Sequence, residues 1–257
     1  KNKWLYQYVI DHLQLGWAPE QISGRLKLKH PLIKSRTVGM ETIYRYVYDP
    51  ENKDEALWEY LPRGQKKRKK QKGRSVHKSH IKARISISKR LTKVNNRKEF
   101  GHFEGDSVEG RRSIGDGIHT EVERMSRMFF AVKVKAINSE ETIKVQTEIF
   151  EKLPELARKS VTLDNGRENH LHMRLNKTLN MKTYFCHPYA SYERGTNENT
   201  NGLLRRYLPK QTDFRTVTQE ELDEMVLEIN TRPRKVLKYQ TALEVFTSLI
   251  KDCSDST

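Results

Sequence analysis

Cysteine and long apolar runs are scarce in this sequence of 257 residues, and each scarcity excludes a class of protein. Its two cysteines, Cys186 and Cys253, lie 67 positions apart outside any CxxC motif, which argues against a structural zinc site and for a reducing, cytoplasmic compartment. No apolar run reaches the roughly 18 residues of a membrane span, and no signal-peptide pattern opens the chain. The first residue is Lys1 rather than Met, so we expect further residues to precede it.

Acidic residues are absent from one segment of the chain. Between Tyr60 and Lys98 there is no Asp or Glu, whereas 16 of the chain's 49 Lys and Arg residues lie there. The net charge of +16 therefore arises in this segment, because the 33 remaining basic residues balance the 33 acidic ones. Such a polycation favours nucleic acid as its partner, since each neutralised phosphate releases counterions. An acidic membrane surface is the alternative, which is disfavoured because no amphipathic apolar face accompanies the charge.

The densest charge lies in residues 63–74, whose sequence is RGQKKRKKQKGR. These residues cannot form an apolar core, and we predict a flexible basic linker over residues 61–98. A solvated spacer and a nuclear-targeting patch are alternative interpretations. We expect DNA phosphates to contact Lys66, Lys67, Arg68, Lys69 and Lys70.

The first 60 residues predict a module of three short helices. Apolar residues recur at helical spacing in three stretches, of which the second begins at Pro19 and the third spans Met40–Val47. The third stretch also has a polar side, on which Arg45 and Tyr46 are candidate DNA contacts. Other three-helix scaffolds share this pattern, but the adjoining polycation favours a helix-turn-helix DNA-binding module over residues 1–60.

From Gly101 onward the pattern changes to strands. Alternating apolar residues and turn signals predict strands over His102–Glu109, Ile118–Met125, Met128–Lys135, Val161–Asp164 and Lys182–Cys186. Helices are predicted from Ser139, beyond Pro188, and after the capping boxes Thr218–Glu221 and Thr241–Glu244. Three antiparallel strands followed by helix, strand, helix, strand and helix is the order of an α/β RNase H-like fold, which we predict for residues 99–257.

Two aspartates occupy positions that call for a chemical explanation. Asp106 lies in the middle of the first predicted strand, where a charged side chain is costly to bury unless it is paired or binds a metal. Asp164 ends the fourth strand, and sites in α/β sheets assemble at the carboxyl ends of strands. A simple Asx turn would also explain Asp164 taken alone. Because the first and fourth strands are neighbours in this topology, we expect the two carboxylates to lie side by side.

A third acid is expected to complete a metal site. Two close carboxylates need a cation or a proton between them, and hard oxygen ligands suit Mg²⁺ or Mn²⁺. Glu198 is our candidate, with 33 residues between it and Asp164. On a helix Glu198 shares a polar face with Asn201 and Arg205, which are candidate contacts to the scissile DNA strand. Glu193 is the rival acid, but a position near the helix start explains it by the helix dipole.

Four stretches of the sequence resemble a known family: WAPEQISGRL…ETIYRYVY, FGHFEGDSVEG, TLDNGRENH and HPYASYERGTNENTNGLLRRYLPK. They are similar to the bacterial insertion-sequence transposases of the IS thirty family, whose DDE catalytic core is related to retroviral integrases. The resemblance covers nearly the whole chain and implies that the catalytic, metal-binding triad falls on Asp106, Asp164 and Glu198. Members of the family usually carry additional N-terminal residues.

The resemblance also implies partners and a mechanism. It implies binding to double-stranded DNA, both the terminal inverted repeats of a transposon and a target, by a homodimer or larger assembly through a circular intermediate. It further implies strand cleavage and strand transfer with two Mg²⁺ or Mn²⁺ ions, Asp106 bridging both. Two other functions remain open: an RNase H-type nuclease that cuts without joining, and a catalytically silent DNA-binding regulator.

Neutralising residues 66–70 is expected to weaken binding to DNA of any sequence, because these side chains would contact phosphates. The salt dependence of the binding constant should flatten by roughly one unit of slope for each phosphate that the altered protein no longer neutralises. Binding titrations over a range of salt concentrations check this, and an unchanged slope would reduce the segment to a passive spacer.

Overall fold

The computed structural model describes the chain in four stretches, namely residues 2–61, 81–111, 115–188 and 190–254. The basic residues at 66–70 lie outside the described residues, so their expected phosphate contacts stay a prediction. The described chain divides into two units, the first of which combines residues 2–61 with residues 232–241. Across the described residues, no helix has both the length and the apolar character that a membrane crossing requires.

The three helices predicted near the N-terminus are present in the first unit. They are α1 (Lys3–Gln14), α2 (Pro19–Lys29) and α3 (Met40–Val47). Pro19 opens α2 at the position where a missing N–H costs no helical hydrogen bond. The core between the helices is closed by fully buried aliphatic side chains, among them Leu13, Ile22, Leu26 and Ile43.

Residues 232–241, here named the return segment, complete this first unit although they are distant in sequence. They bond to three residues of α2: Lys235 Nζ to Glu20 Oε1 at 2.6 Å, Pro233 O to Gln21 Nε2 at 2.8 Å and Tyr239 O to Arg25 Nη1 at 3.1 Å. Arg25 is buried, so its bond to a backbone oxygen satisfies a donor that water does not reach. The return segment is therefore part of the structure that supports α2.

Close packing between α2 and the return segment explains a glycine inside the helix. Gly24 lies in the middle of α2, and a Cβ added there would overlap the ring of Tyr239. Tyr239 and the preceding Lys238 both have left-handed backbone conformations, with φ of 65° and 53°. Such conformations are costly outside glycine and persist only where the surroundings hold them. The α2 contact holds this turn.

The second unit is built on a mixed sheet of five strands among the described residues. The strands are β1 (His102–Glu109), β2 (Gly117–Glu123), β3 (Phe129–Val134), β4 (Ser160–Leu163) and β5 (Lys182–Phe185). Their order across the sheet is β3-β2-β1-β4-β5, with β1 antiparallel to β2 and parallel to β4. This order is consistent with the predicted RNase H-like core, and β1 has the predicted bounds.

Helices pack against both faces of this sheet, so most residues of its strands are buried or half-buried. They are α4 (Thr92–Asn95), α5 (Ser139–Glu151), α6 (Met173–Leu179), α7 (Gly195–Tyr207), α8 (Gln219–Thr231) and α9 (Ala242–Ser254). One apolar core includes Phe103, Phe150 and Leu175, and a second includes Val108, Leu204 and Leu222. The predicted capping box at α8 is present, because Thr218 and Glu221 exchange two hydrogen bonds.

The loop that joins β2 to β3 is longer than the sequence predicts. Strand β2 ends at Glu123 rather than Met125, because the buried Glu123 carboxylate accepts the backbone N–H groups of Met125 and Ser126. These bonds turn the chain two residues earlier than the pattern of apolar residues indicates. Strand β3 likewise occupies Phe129–Val134, one residue shorter at each end than predicted.

Replacing Gly24 with alanine tests the packing of the return segment. Alanine in an open helix interior normally stabilises by about 1 kcal/mol relative to glycine. At Gly24 we expect the opposite sign, since the new methyl group meets the Tyr239 ring. In a Tyr239→Ala background, Gly24→Ala should become stabilising.

Gly202→Ala in α7 is the matched control, because among the described residues a Cβ there would meet no atom within 4 Å apart from its chain neighbours and the backbone of its own helix. Urea denaturation of these variants and of the unaltered protein measures the free energies of unfolding. A stabilising Gly24→Ala in the otherwise unchanged chain would contradict the packing.

Candidate active site

The parallel pairing of β1 and β4 sets two aspartates beside each other. Glu104 pairs with Thr162 in this ladder, and Asp106 and Asp164 each lie two residues further along the chain from that pair. They share a register position, and the predicted juxtaposition of the first and fourth strands is present. Both carboxylates remain accessible, with side-chain exposures of 28% for Asp106 and 36% for Asp164.

One guanidinium group joins these two carboxylates. Arg194 lies immediately before α7, and its Nη1 is 3.0 Å from Asp106 Oδ1 while its Nη2 is 3.3 Å from Asp164 Oδ2. Nη1 also donates to the backbone oxygen of Gly105 at 2.8 Å. Burial by itself lowers the pKa of Arg194, but the carboxylates of Asp106 and Asp164 outweigh it and raise this pKa above its usual value. A permanent positive charge therefore lies between the two acids.

The remaining oxygens of both aspartates accept neutral donors. Asn201 Nδ2 lies 3.2 Å from Asp106 Oδ2. Asp164 Oδ1 accepts the backbone N–H of Gly166 at 2.9 Å and the Asn169 side chain at 2.8 Å. The bond to Gly166 forms the Asx turn that the LDNG sequence suggested. Asp164 therefore has two roles, because it also pairs with Arg194, which binds Asp106 as well.

A buried glutamate fixes α7 against β1. Glu104 is fully buried two residues before Asp106, and its Oε2 accepts the N–H groups of Thr196 and Asn197, both at 3.0 Å. These are donors of the first turn of α7 that have no partner within the helix, and a negative charge is favourable there. The other oxygen of Glu104 pairs with the buried guanidinium of Arg124. This arrangement determines where α7 begins relative to the aspartates.

The polar face of α7 has the composition predicted for it, but its members differ in their surroundings. Glu198 lies in the first turn of α7 and is exposed, and within the described chain it makes no bond to Asp106 or Asp164. Asn201 is half-buried against Asp106. Arg205 donates to the backbone oxygen of Glu109 at 2.6 Å, which ties the helix to the end of β1.

Glu193, the rival third acid, is engaged elsewhere. Its Oε1 and Oε2 bind the ring Nδ1 and the backbone N–H of His187, both at 2.8 Å. The carboxylate thereby fastens the turn before α7 rather than facing the aspartates. Of the two candidate glutamates, Glu198 is thus the one with an exposed side chain.

Three residues near the aspartates were missed by sequence reasoning. Arg194 and Glu104 form the bonds described above, and Glu168 follows Asp164 by four residues. Burial raises the pKa of Glu168, and the neighbouring carboxylates Asp164 and Asp106 raise it further. Its carboxylate folds back over Gly166, where a Cβ would overlap it. The sequence offered one signal for each of the two glutamates: Glu104 precedes Asp106 by two residues, and Glu168 follows Asp164 by four.

The donor set of Asp106 and Asp164 fits a hard divalent cation. Their oxygens already enclose one cationic group, and the buried Asn201 Oδ1 beside Asp106 lacks a hydrogen-bond partner among the described residues. Carboxylate and amide oxygens are the ligands that Mg²⁺ and Mn²⁺ prefer. Within the described chain, however, no cluster of three or more His, Cys, Asp or Glu side chains has the arrangement of a complete metal site.

Replacing Glu104 with glutamine tests the anchoring of α7. Glutamine cannot carry the charge that pairs with Arg124 and receives the two helix N–H groups, so a loss of about 3–5 kcal/mol in the free energy of unfolding is expected. Urea denaturation measures it. Glu140→Gln, which removes only an exposed ion pair with Arg174, is the control and should leave stability nearly unchanged. A Glu104→Gln protein as stable as that control would contradict the anchoring.

Comparison with known proteins places the chain among bacterial transposases, although no protein-family model matches it. It is 37% identical over 255 residues to the transposase InsI of insertion sequence element IS30A from Escherichia coli strain K12. That match covers 95% of this chain, and the chain spans 65% of the relative's length. Transposases of IS1086 from Cupriavidus metallidurans and of IS4351 from Bacteroides fragilis are each 34% identical, and the chain covers 74% of each. The chain therefore belongs to the IS thirty (IS30) family of insertion-sequence transposases.

Proposed function

We propose that this protein is a DDE transposase that binds transposon-end DNA and carries out metal-dependent strand cleavage and strand transfer through Asp106, Asp164 and Glu198. The observation that carries the proposal is the pair of accessible aspartates at one register position of β1 and β4, with α7 anchored beside them. Membership of a transposase family supports the reaction class. The carboxylates supply the ligands, and α7 supplies a third acid.

Each acid has a distinct part in the proposed chemistry. Two Mg²⁺ or Mn²⁺ ions held there would activate the attacking oxygen and stabilise the leaving 3′-oxygen. Asp106, Asp164 and Glu198 would hold these ions, with Asp106, central in β1, shared between the two. The exposed position of Glu198 in the first turn of α7 suits a ligand that closes the site when the DNA is bound.

The proposed DNA contacts combine positive charge with the polar face of α7. Asn201 and Arg205 bind Asp106 and the end of β1 in the structure, and we propose that they also hold the scissile strand. The basic residues at 66–70 would supply phosphate contacts that do not depend on sequence.

We propose that α1–α3 act as a helix-turn-helix in which α3 reads DNA. Arg45 is exposed on α3 and suits this role. Tyr46 donates its hydroxyl to Glu55 at 2.7 Å, so its share in DNA contact would come through its ring rather than its hydroxyl. The proposed partners are the terminal inverted repeats and a target duplex, bound by a homodimer or a larger assembly.

A labelled transposon-end duplex incubated with the protein and Mg²⁺ separates the proposal from its alternatives. Nicked ends together with joined products support the transposase. Nicking without joining would instead indicate a nuclease of the RNase H type. Binding without either product would indicate a DNA-binding regulator.

Glu198→Gln is expected to abolish Mg²⁺-dependent strand chemistry while leaving DNA binding nearly intact. The substitution removes one carboxylate ligand from an exposed side chain that makes no bond to either aspartate within the described chain. Gel electrophoresis of the labelled products and a binding titration measure the two properties.

Glu193→Gln is the matched control, because it alters a neighbouring acid that binds His187 rather than facing the aspartates. It should retain strand chemistry. Cleavage by Glu198→Gln at a rate near that of the unaltered protein would show that the third ligand is a different residue.

A further inference from the structure

We propose that Arg194 is an internal counter-ion that occupies the cation position between Asp106 and Asp164, and that divalent metal must displace its guanidinium to bind. The inference rests on the proposed function, because it concerns the metal site of that function. It assigns a positioning role to a residue outside the DDE triad.

The hydrogen bonds at the two aspartates single out Arg194 among their partners. Every carboxylate oxygen of Asp106 and Asp164 accepts a donor, but Asn201, Gly166 and Asn169 are neutral. Only the guanidinium of Arg194 brings a charge among the described partners, and it takes one oxygen from each acid. Those are the oxygens through which the two acids could share one cation.

Electrostatics requires the guanidinium and a divalent ion to compete. Two carboxylates that face a common point repel each other, and a positive charge between them removes that repulsion. A divalent ion at the same point would find these carboxylate oxygens already bound to Arg194, and the positive charge of the guanidinium would repel it. Metal binding at the shared position and the Arg194 ion pairs are therefore mutually exclusive.

The surroundings of the Arg194 side chain favour displacement of its guanidinium by a metal ion. Its side chain is about 90% buried, since only 10% is exposed, yet its Nε has no hydrogen-bond partner among the described residues. A buried donor without a partner is unfavourable, so departure of the guanidinium recovers that loss, although it also breaks the bond from Nη1 to the Gly105 backbone oxygen. Arg194 also lies before the first residue of α7, so a change in its side chain leaves the hydrogen bonds of that helix intact.

Titration of the full chain with Mn²⁺, followed by calorimetry, tests the competition directly. Arg194→Gln should bind Mn²⁺ at least tenfold more tightly than the unaltered protein, since no bound cation has to leave. Arg194→Lys keeps the charge and should bind Mn²⁺ more weakly than Arg194→Gln does. Equal Mn²⁺ affinity in the unaltered and Arg194→Gln proteins would overturn the competition while leaving the proposed metal site in place.

A second measurement, made in a chelator, examines the ion pair without any metal. Arg194→Gln should lower the melting temperature, because it leaves two adjacent carboxylates uncompensated. Adding Asp106→Asn to Arg194→Gln should restore part of that loss, whereas Asp106→Asn alone should not stabilise the protein. Strictly additive shifts would overturn the counter-ion role.

The two measurements also distinguish this inference from the proposed function. Non-additive melting shifts with no Mn²⁺ binding in either protein would support the counter-ion pair but overturn the metal site, and with it the competition. Tighter Mn²⁺ binding by Arg194→Gln that disappears when Asp106→Asn is added supports both.

Discussion

The candidate active site depends on the buried carboxylate of Glu104. This one group accepts the first N–H donors of α7 and pairs with Arg124, so it joins the central strand, the β2–β3 hairpin and the helix that carries Glu198. A buried charge is stable only when its oxygens are fully paired, and both oxygens of Glu104 are. The position of α7 follows from this constraint rather than from apolar packing alone.

The same pairing of acid with arginine recurs at Asp106, two residues along β1 from Glu104. Glu104 and Asp106 project to the same side of β1, because alternate residues of a strand share a face. The inner acid is paired with Arg124 and the outer one with Arg194. The two pairs therefore differ in burial: Glu104 and Arg124 are both buried, whereas Asp106 is 28% exposed beside the buried Arg194. Because Asp106 and Asp164 are partly exposed, we propose that this outer pair is the one that exchanges its cation.

The strands and the two aspartates could be predicted because each produces a pattern among residues that are close in sequence. The bounds of β1 and the pairing of β1 with β4 followed from apolar alternation and element order, and the family was identified from four motifs. Arg194 was missed because its partners lie 30 and 88 positions away, and a basic residue before a helix carries no local sign of them. The return segment was missed for the same reason, since its packing on α2 joins positions more than 200 residues apart. The early end of β2 depends on side-chain bonds of Glu123, which a periodic pattern does not encode.

The central claim is that Asp106 and Asp164 form a site for divalent metal on the strand pair β1–β4. Anomalous X-ray diffraction from crystals of the protein grown with Mn²⁺ tests it most directly. We expect an anomalous peak at about 2.1–2.3 Å from oxygens of both aspartates, with the Arg194 guanidinium moved away from them. A fully ordered site with no peak there, and with Arg194 still bridging the aspartates at saturating Mn²⁺, would contradict it.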